Sequence, residues 1–181
     1  NHFLNPNNPD MKITKFLLTL CACLSCTLWL HAQRNGMPWP DTAGHHINAH
    51  GGGILVEDGV YYWYGEHKIE GRAGNYAHVG VHVYTSTDLM NWTDAGIALD
   101  IRGGRFPELQ DGCIIERPKV ARSLATGAYV MLFHYEADSS YNSAAVGFAV
   151  AKSPLGPFTL HHIQRPDIGV WPLNTPPELK D

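Results

Sequence analysis

The chain has 181 residues and 44% hydrophobic content, enough for one domain with a sizeable core. Thirteen basic residues against seventeen acidic ones leave a net charge of −4 with no basic stripe, which excludes nucleic acid as a partner. Eighteen Gly, twelve Pro, five Trp and eight Tyr instead suit many short strands joined by tight turns.

Residues 1–10 precede Met11 and carry no pattern; they read as an upstream or non-native leader. Residues 11–32 read as a signal peptide: Lys12 and Lys15 supply the basic end, Phe16–Leu30 the apolar stretch, and Ala32 a cleavage point. That stretch is about 15 residues long, whereas a membrane span needs roughly 20. The expected location is therefore secreted or periplasmic, with no membrane span. The alternative is a lipoprotein tether through Cys23, because Leu20-Cys21-Ala22-Cys23 has the look of a lipidation box. Cys21, Cys23 and Cys26 all fall in the signal, so Cys113 is the single thiol of the mature part and cannot form an internal disulfide. It reads as a small buried apolar residue.

Residues 33–181 contain an internal repeat. Gly59-Val60-Tyr61 returns as Gly127-Ala128-Tyr129 at an offset of 68, and Val79-Gly80 and Ser86 return as Val146-Gly147 and Ser153 at 67. Each copy reads as four short strands, at about 52–57, 60–66, 78–85 and 92–99 and then about 119–123, 128–135, 145–152 and 158–164. The grounds are β-branched and aromatic enrichment and the turn signals Asp58-Gly59 and Thr126-Gly127. A tandem four-stranded unit is the signature of a β-propeller blade. The fold class is all-β, with blade one at about 48–100, blade two at about 114–166 and a Pro-rich tail at 167–181. Two blades leave large apolar faces uncovered, and the chain reads as the front part of a longer propeller.

Several motifs resemble those of a known family. Asn48-Ala49-His50-Gly51-Gly52-Gly53, followed by Asp58-Gly59-Val60-Tyr61-Tyr62-Trp63-Tyr64-Gly65-Glu66, looks like the first blade of glycoside hydrolase family 43. Ser86-Thr87-Asp88-Leu89-Met90-Asn91-Trp92 is similar to a hairpin common in that clan, and Glu116-Arg117-Pro118-Lys119-Val120 to the second-blade opening of its exo-β-1,3-galactanase branch. The resemblance covers about residues 38–166. It implies a five-bladed propeller with a sugar site on its axis, hydrolysing O-glycosyl bonds with inversion. An inverting enzyme holds its two carboxyl groups roughly 6.5–9.5 Å apart to admit the attacking water. The implied partner is an oligo- or polysaccharide of the galactan or arabinogalactan kind, met by a monomer. No cofactor is implied; some members hold a calcium ion in the central channel, and nothing in these residues specifies one.

Glu116 is the catalytic candidate. The resemblance makes it a carboxylate that orients the sugar and raises the pKa of the acid by its charge. The alternative is an ion pair with Arg117 or Lys119 at a sheet edge. It stands just before the innermost strand of the second repeat, as His50 stands before that of the first, so symmetry should bring the two to one mouth. His50, Glu66 and Tyr141 are the substrate-binding candidates: His50 for a sugar hydroxyl, Glu66 as a clamp closing an aromatic strand, and Tyr141 from the loop Asp138–Asn142. The glycines at 51–53 would let backbone approach the axis and its ligand. No metal site is read from His45, His46 and His50. Asp88 reads as a turn former. Many members carry an Asp-Pro pair at the start of blade one; Ala49-His50 stands there instead, which leaves the water-activating group unassigned, Asp41 being the nearest upstream carboxylate. The resemblance puts the proton donor in a third blade, beyond Asp181. Two other readings stay open: an arabinofuranosidase or xylosidase of the same family, and a non-catalytic sugar-binding propeller.

Overall fold

The protein is described by a computed structural model covering residues 36–171 and 173–180. The leader and signal readings, with Cys21, Cys23 and Cys26, lie outside the described residues. The chain divides into two units, Asn1–Trp39 and Pro40–Asp181, and every strand among the described residues belongs to the second.

Among the described residues, eight strands form two antiparallel meanders. β1 (His50–Glu57), β2 (Val60–Glu66), β3 (Gly80–Ser86) and β4 (Thr93–Asp100) make the first sheet. The second consists of β5 (Ile114–Arg122), β6 (Tyr129–Glu136), β7 (Ala145–Ala151) and β8 (Thr159–Gln164). Gly59 and Gly127, the first landmarks of the repeat, both have positive φ (78° and 71°) just ahead of the second strand of their sheet. After β3, Asp88 accepts the backbone N–H groups of Met90 and Asn91, which hold its carboxyl well below the usual range. It forms a turn, as its position suggested.

Two boundaries differ from the sequence reading, and both move the site. β1 starts at His50, and β5 starts at Ile114 rather than near 119. Glu116 is thus inside the innermost strand, not ahead of it. A bulge between Glu116 and Lys119 carries the ladder past Pro118, which has no N–H to offer, with Arg117 at φ 56°. β1 has its own irregularity between His50 and Gly53.

The repeat also registers differently from strand to strand. His50 pairs with Glu66 and Glu116 with His134, so the offset is 66 in the first strands and 68 in the second. Tyr62 pairs with Thr85 and Val130 with Val150, which makes it 65 in the third strands instead of the expected 67. A two-residue slip keeps every side chain on its own face. Gly80 and Gly147 are therefore not equivalent. A Cβ at Gly147 would enter the Phe133 ring, whereas at Gly80, φ 125°, it would strike the Leu99 carbonyl.

The core lies between the sheets. Tyr64, Val81 and Val83 of the first meet Met131, Phe133 and Ala149 of the second, all buried. Full burial of such side chains is worth roughly 1.5–3 kcal/mol each. Polar ties close the rim: Tyr64 Oη donates to the Pro154 carbonyl at 2.6 Å, and Arg122 pairs with Glu57 at 2.8 Å while the Tyr129 hydroxyl donates to the same carboxylate. Cys113 is buried, its thiol pushed up to about 11, which makes it inert as a nucleophile. The far faces stay open, with Ile54 and Val56 on the first sheet and Leu132 on the second exposed.

A histidine pair ties β3 to the chain leaving β2. Asp94 takes the Nε2–H of buried His82 at 2.6 Å, which leaves His82 Nδ1 to accept from His67 Nδ1 at 3.0 Å. Burial, then the neighbouring His82, holds His67 below the ordinary imidazole value. The unfolded chain takes up that proton first as pH falls, so this contribution is complete above about pH 6.5 and is lost as pH drops through the lowered value. The denaturant midpoint should fall between pH 7 and pH 5, and less steeply in His67→Gln. Equal slopes in the two proteins would refute the assignment.

Candidate functional site

Strand β1 presents its start, and β5 its start, at the same end of the two sheets. There a buried carboxylate joins them. Glu66, the last residue of β2, is 3% exposed. Its Oε2 receives His50 Nδ1 at 3.1 Å and Lys68 Nζ at 2.6 Å, and its Oε1 receives the backbone N–H of Arg117 at 2.8 Å. The first sheet therefore grips the second at the bulge beside Glu116. Alternation along β2 turns Tyr62, Tyr64 and Glu66 to one face, as the sequence indicated.

The glycines at 51–53 explain how the strands come so close. A Cβ on Gly51 would stand 2.5 Å from Glu66 Oε1, and one on Gly53 2.5 Å from Lys119 Cδ. Lys119 Nζ in turn donates to the Gly52 carbonyl at 3.0 Å. The close approach expected for a ligand is made by Glu66 and by the second sheet.

Glu116 is half-buried and accepts the Tyr141 hydroxyl at 3.0 Å. That bond, ahead of burial, raises the Tyr141 phenol above its ordinary value and keeps it a donor. Glu116 pairs with neither Arg117 nor Lys119, so the sheet-edge ion pair considered from sequence does not form. Its second oxygen has no protein partner among the described residues. Tyr141 comes from the loop 137–144, sits at φ 56° and is exposed.

The four candidates thus fall into two contacting pairs, His50 with Glu66 and Glu116 with Tyr141, linked through the Arg117 amide. His50 reaches the mouth with its ring largely exposed. Glu66, expected as a clamp on sugar hydroxyls, has three of its roughly four acceptor positions occupied by protein groups. At most one position remains for a sugar. Asp41 is buried and caps a turn by accepting the amides of Ala43 and His45, so it is structural. Lys68, His134 and Glu136 were missed. Lys68 lies past the end of β2, where no periodicity marks it. His134 could have been found, because the offset of 68 carries Glu66 onto it.

Solved structures share this fold. A β-1,3-galactosidase of glycoside hydrolase family 43, solved with galactodeoxynojirimycin, matches at 42% identity and a TM-score of 0.69, over 79% of this chain and 41% of that one. An exo-β-1,3-galactanase from Clostridium thermocellum matches at 42% identity and a TM-score of 0.66, over 76% of this chain and 29% of that one. The chain belongs to glycoside hydrolase family 43. A family 43 β-xylosidase/α-arabinofuranosidase from a compost metagenome is more distant, at 25% identity and a TM-score of 0.52 over 72% of this chain and 38% of that one. No family model matches, and no curated protein does. The two sheets are blades of the family 43 propeller, and the chain spans less than half the length of these relatives. No helix among the described residues is long and apolar enough to cross a membrane.

Proposed function

We propose that the protein carrying this chain is an exo-acting family 43 glycosidase that removes galactose from β-1,3-linked galactan by single displacement. The observation that carries the reading is the higher identity to galactan-acting enzymes than to the xylosidase/arabinofuranosidase of the same family. The geometry adds a half-buried carboxylate, Glu116, polarised by a tyrosine hydroxyl at a mouth rimmed by His50.

In this mechanism water attacks the anomeric carbon from the face opposite the leaving group. The glycosidic C–O bond breaks, the leaving oxygen takes a proton from the acid and the attacking water gives one up to a base, giving α-galactose and a chain shorter by one unit. Glu116 orients the sugar, and its negative charge favours the protonated form of the acid. The proton donor belongs, on this reading, to a further blade. The protein acts as a monomer outside the cytoplasm. The basic, apolar and small-residue succession from Lys12 to Ala32 supports export, and a polymeric substrate fits it.

The test is to feed β-1,3-galactan to the full-length gene product and follow the first anomer released by proton NMR. α-Galactose is expected. Release of arabinose or xylose from arabinogalactan would favour the pentosidase reading, and sugar binding without turnover the non-catalytic one.

A further inference from the structure

The cross-strand pair His50/Glu66 of blade one is repeated with its partners exchanged in blade two: Glu116 on the inner strand faces His134 on β6. In blade one histidine and glutamate bond to each other. In blade two they do not. His134 Nε2 is held instead at 3.0 Å by Oε1 of Glu136, a carboxylate only 1% exposed. This leaves Glu116 to Tyr141.

Glu136 also accepts the backbone amides of Ser143 at 2.8 Å and Ala144 at 3.0 Å. It therefore pins the returning end of the loop 137–144, whose Tyr141 and Ala144 both sit at positive φ. Two residues in that region cost free energy and persist only when neighbours impose them. The His134 ring supplies the second constraint, lying nearly parallel to the Tyr141 ring, 6.1 Å between centroids at 19°. One buried carboxylate thus fixes both the loop and the ring against which its tyrosine rests. Neither His134 nor Glu136 bonds to Glu116.

We propose that His134, anchored by Glu136, is a positioning residue: it holds the Tyr141 hydroxyl on Glu116 and so sets the orientation of that carboxylate. This rests on the galactosidic reading of the site, but the contact itself can be tested without it.

The experiment is a double-mutant cycle on kcat/KM for β-1,3-galactan in the full-length protein, with His134→Ala, Tyr141→Phe and both together. Losing one such hydrogen bond is expected to lower kcat/KM about tenfold. Each single variant should show that loss, and the double variant no more, because the histidine acts through the tyrosine. Losses that multiply to about a hundredfold would overturn the proposal, as would an unimpaired His134→Ala. His134→Phe, which keeps a ring beside Tyr141 but not the bond to Glu136, takes its place in the cycle if the alanine variant does not fold. Amide hydrogen exchange gives a reading that needs no turnover. Residues 137–144 should exchange faster in the variant while β6 and β7 stay protected, and unchanged exchange in that loop would refute the brace. An inactive wild type with the loop response intact would sink the functional reading alone.

Discussion

Glu116→Gln in the full-length enzyme should lower turnover of β-1,3-galactan on the order of a hundredfold, with the fold unchanged. The expected size is that of a positioned group acting at the reacting centre. The substitution keeps the volume and leaves an amide oxygen for the Tyr141 hydroxyl, now 3.0 Å from the carboxylate. What it removes is the charge. A carboxylate near the proton donor raises that donor's pKa, so its loss lets the donor ionise at lower pH. The alkaline limb of the pH profile for kcat/KM should accordingly move toward acid. A drop in rate without that movement would leave Glu116 a sugar-orienting residue only, and near-normal turnover would remove it from the site altogether.

Glu66→Leu should destabilise the protein by about 3 kcal/mol, read as a lower denaturant midpoint. The leucine leaves Lys68, His50 and the Arg117 amide without their shared acceptor. Removing one partner of a buried ion pair costs roughly 3–5 kcal/mol, and the low end applies because Lys68 keeps 21% of its side-chain surface in water. Glu66→Gln retains an oxygen for Arg117 and should lose about half as much. Equal stability of Glu66→Leu and wild type would mean that the two blades hold together without this contact.

The β-architecture was legible because β2 and β6 are rich in aromatic and β-branched residues and each follows a Gly-containing turn. The start of β5 was not, since Arg117-Pro118 interrupts the ladder and only a bulge, invisible to periodicity, lets the strand continue. For the same reason Glu116 was placed outside the strand that carries it. The repeat located both innermost strands, yet its Gly80/Gly147 landmark was coincidental: one glycine avoids a carbonyl and the other a phenyl ring. Glu116, His50 and Tyr141 became candidates through motif and loop position, and the structure places Tyr141 on Glu116 and His50 on Glu66. Glu136 was hidden because two of its three partners, the amides of Ser143 and Ala144, are backbone groups that no side-chain pattern announces.

The amide that Glu66 captures belongs to the residue next to Glu116, and this makes the angle between the blades a mechanical variable of the site. Any tilt of one sheet against the other tugs on Arg117 and shifts the neighbouring carboxylate with it. A sugar that seats well against Glu116 must, by the same lever, resist that tilt, so occupancy should stiffen the joint between the first two blades. Mutations at the opposite end of the interface, around Glu57 or Tyr129, would then surface as altered kinetics before they surface as misfolding.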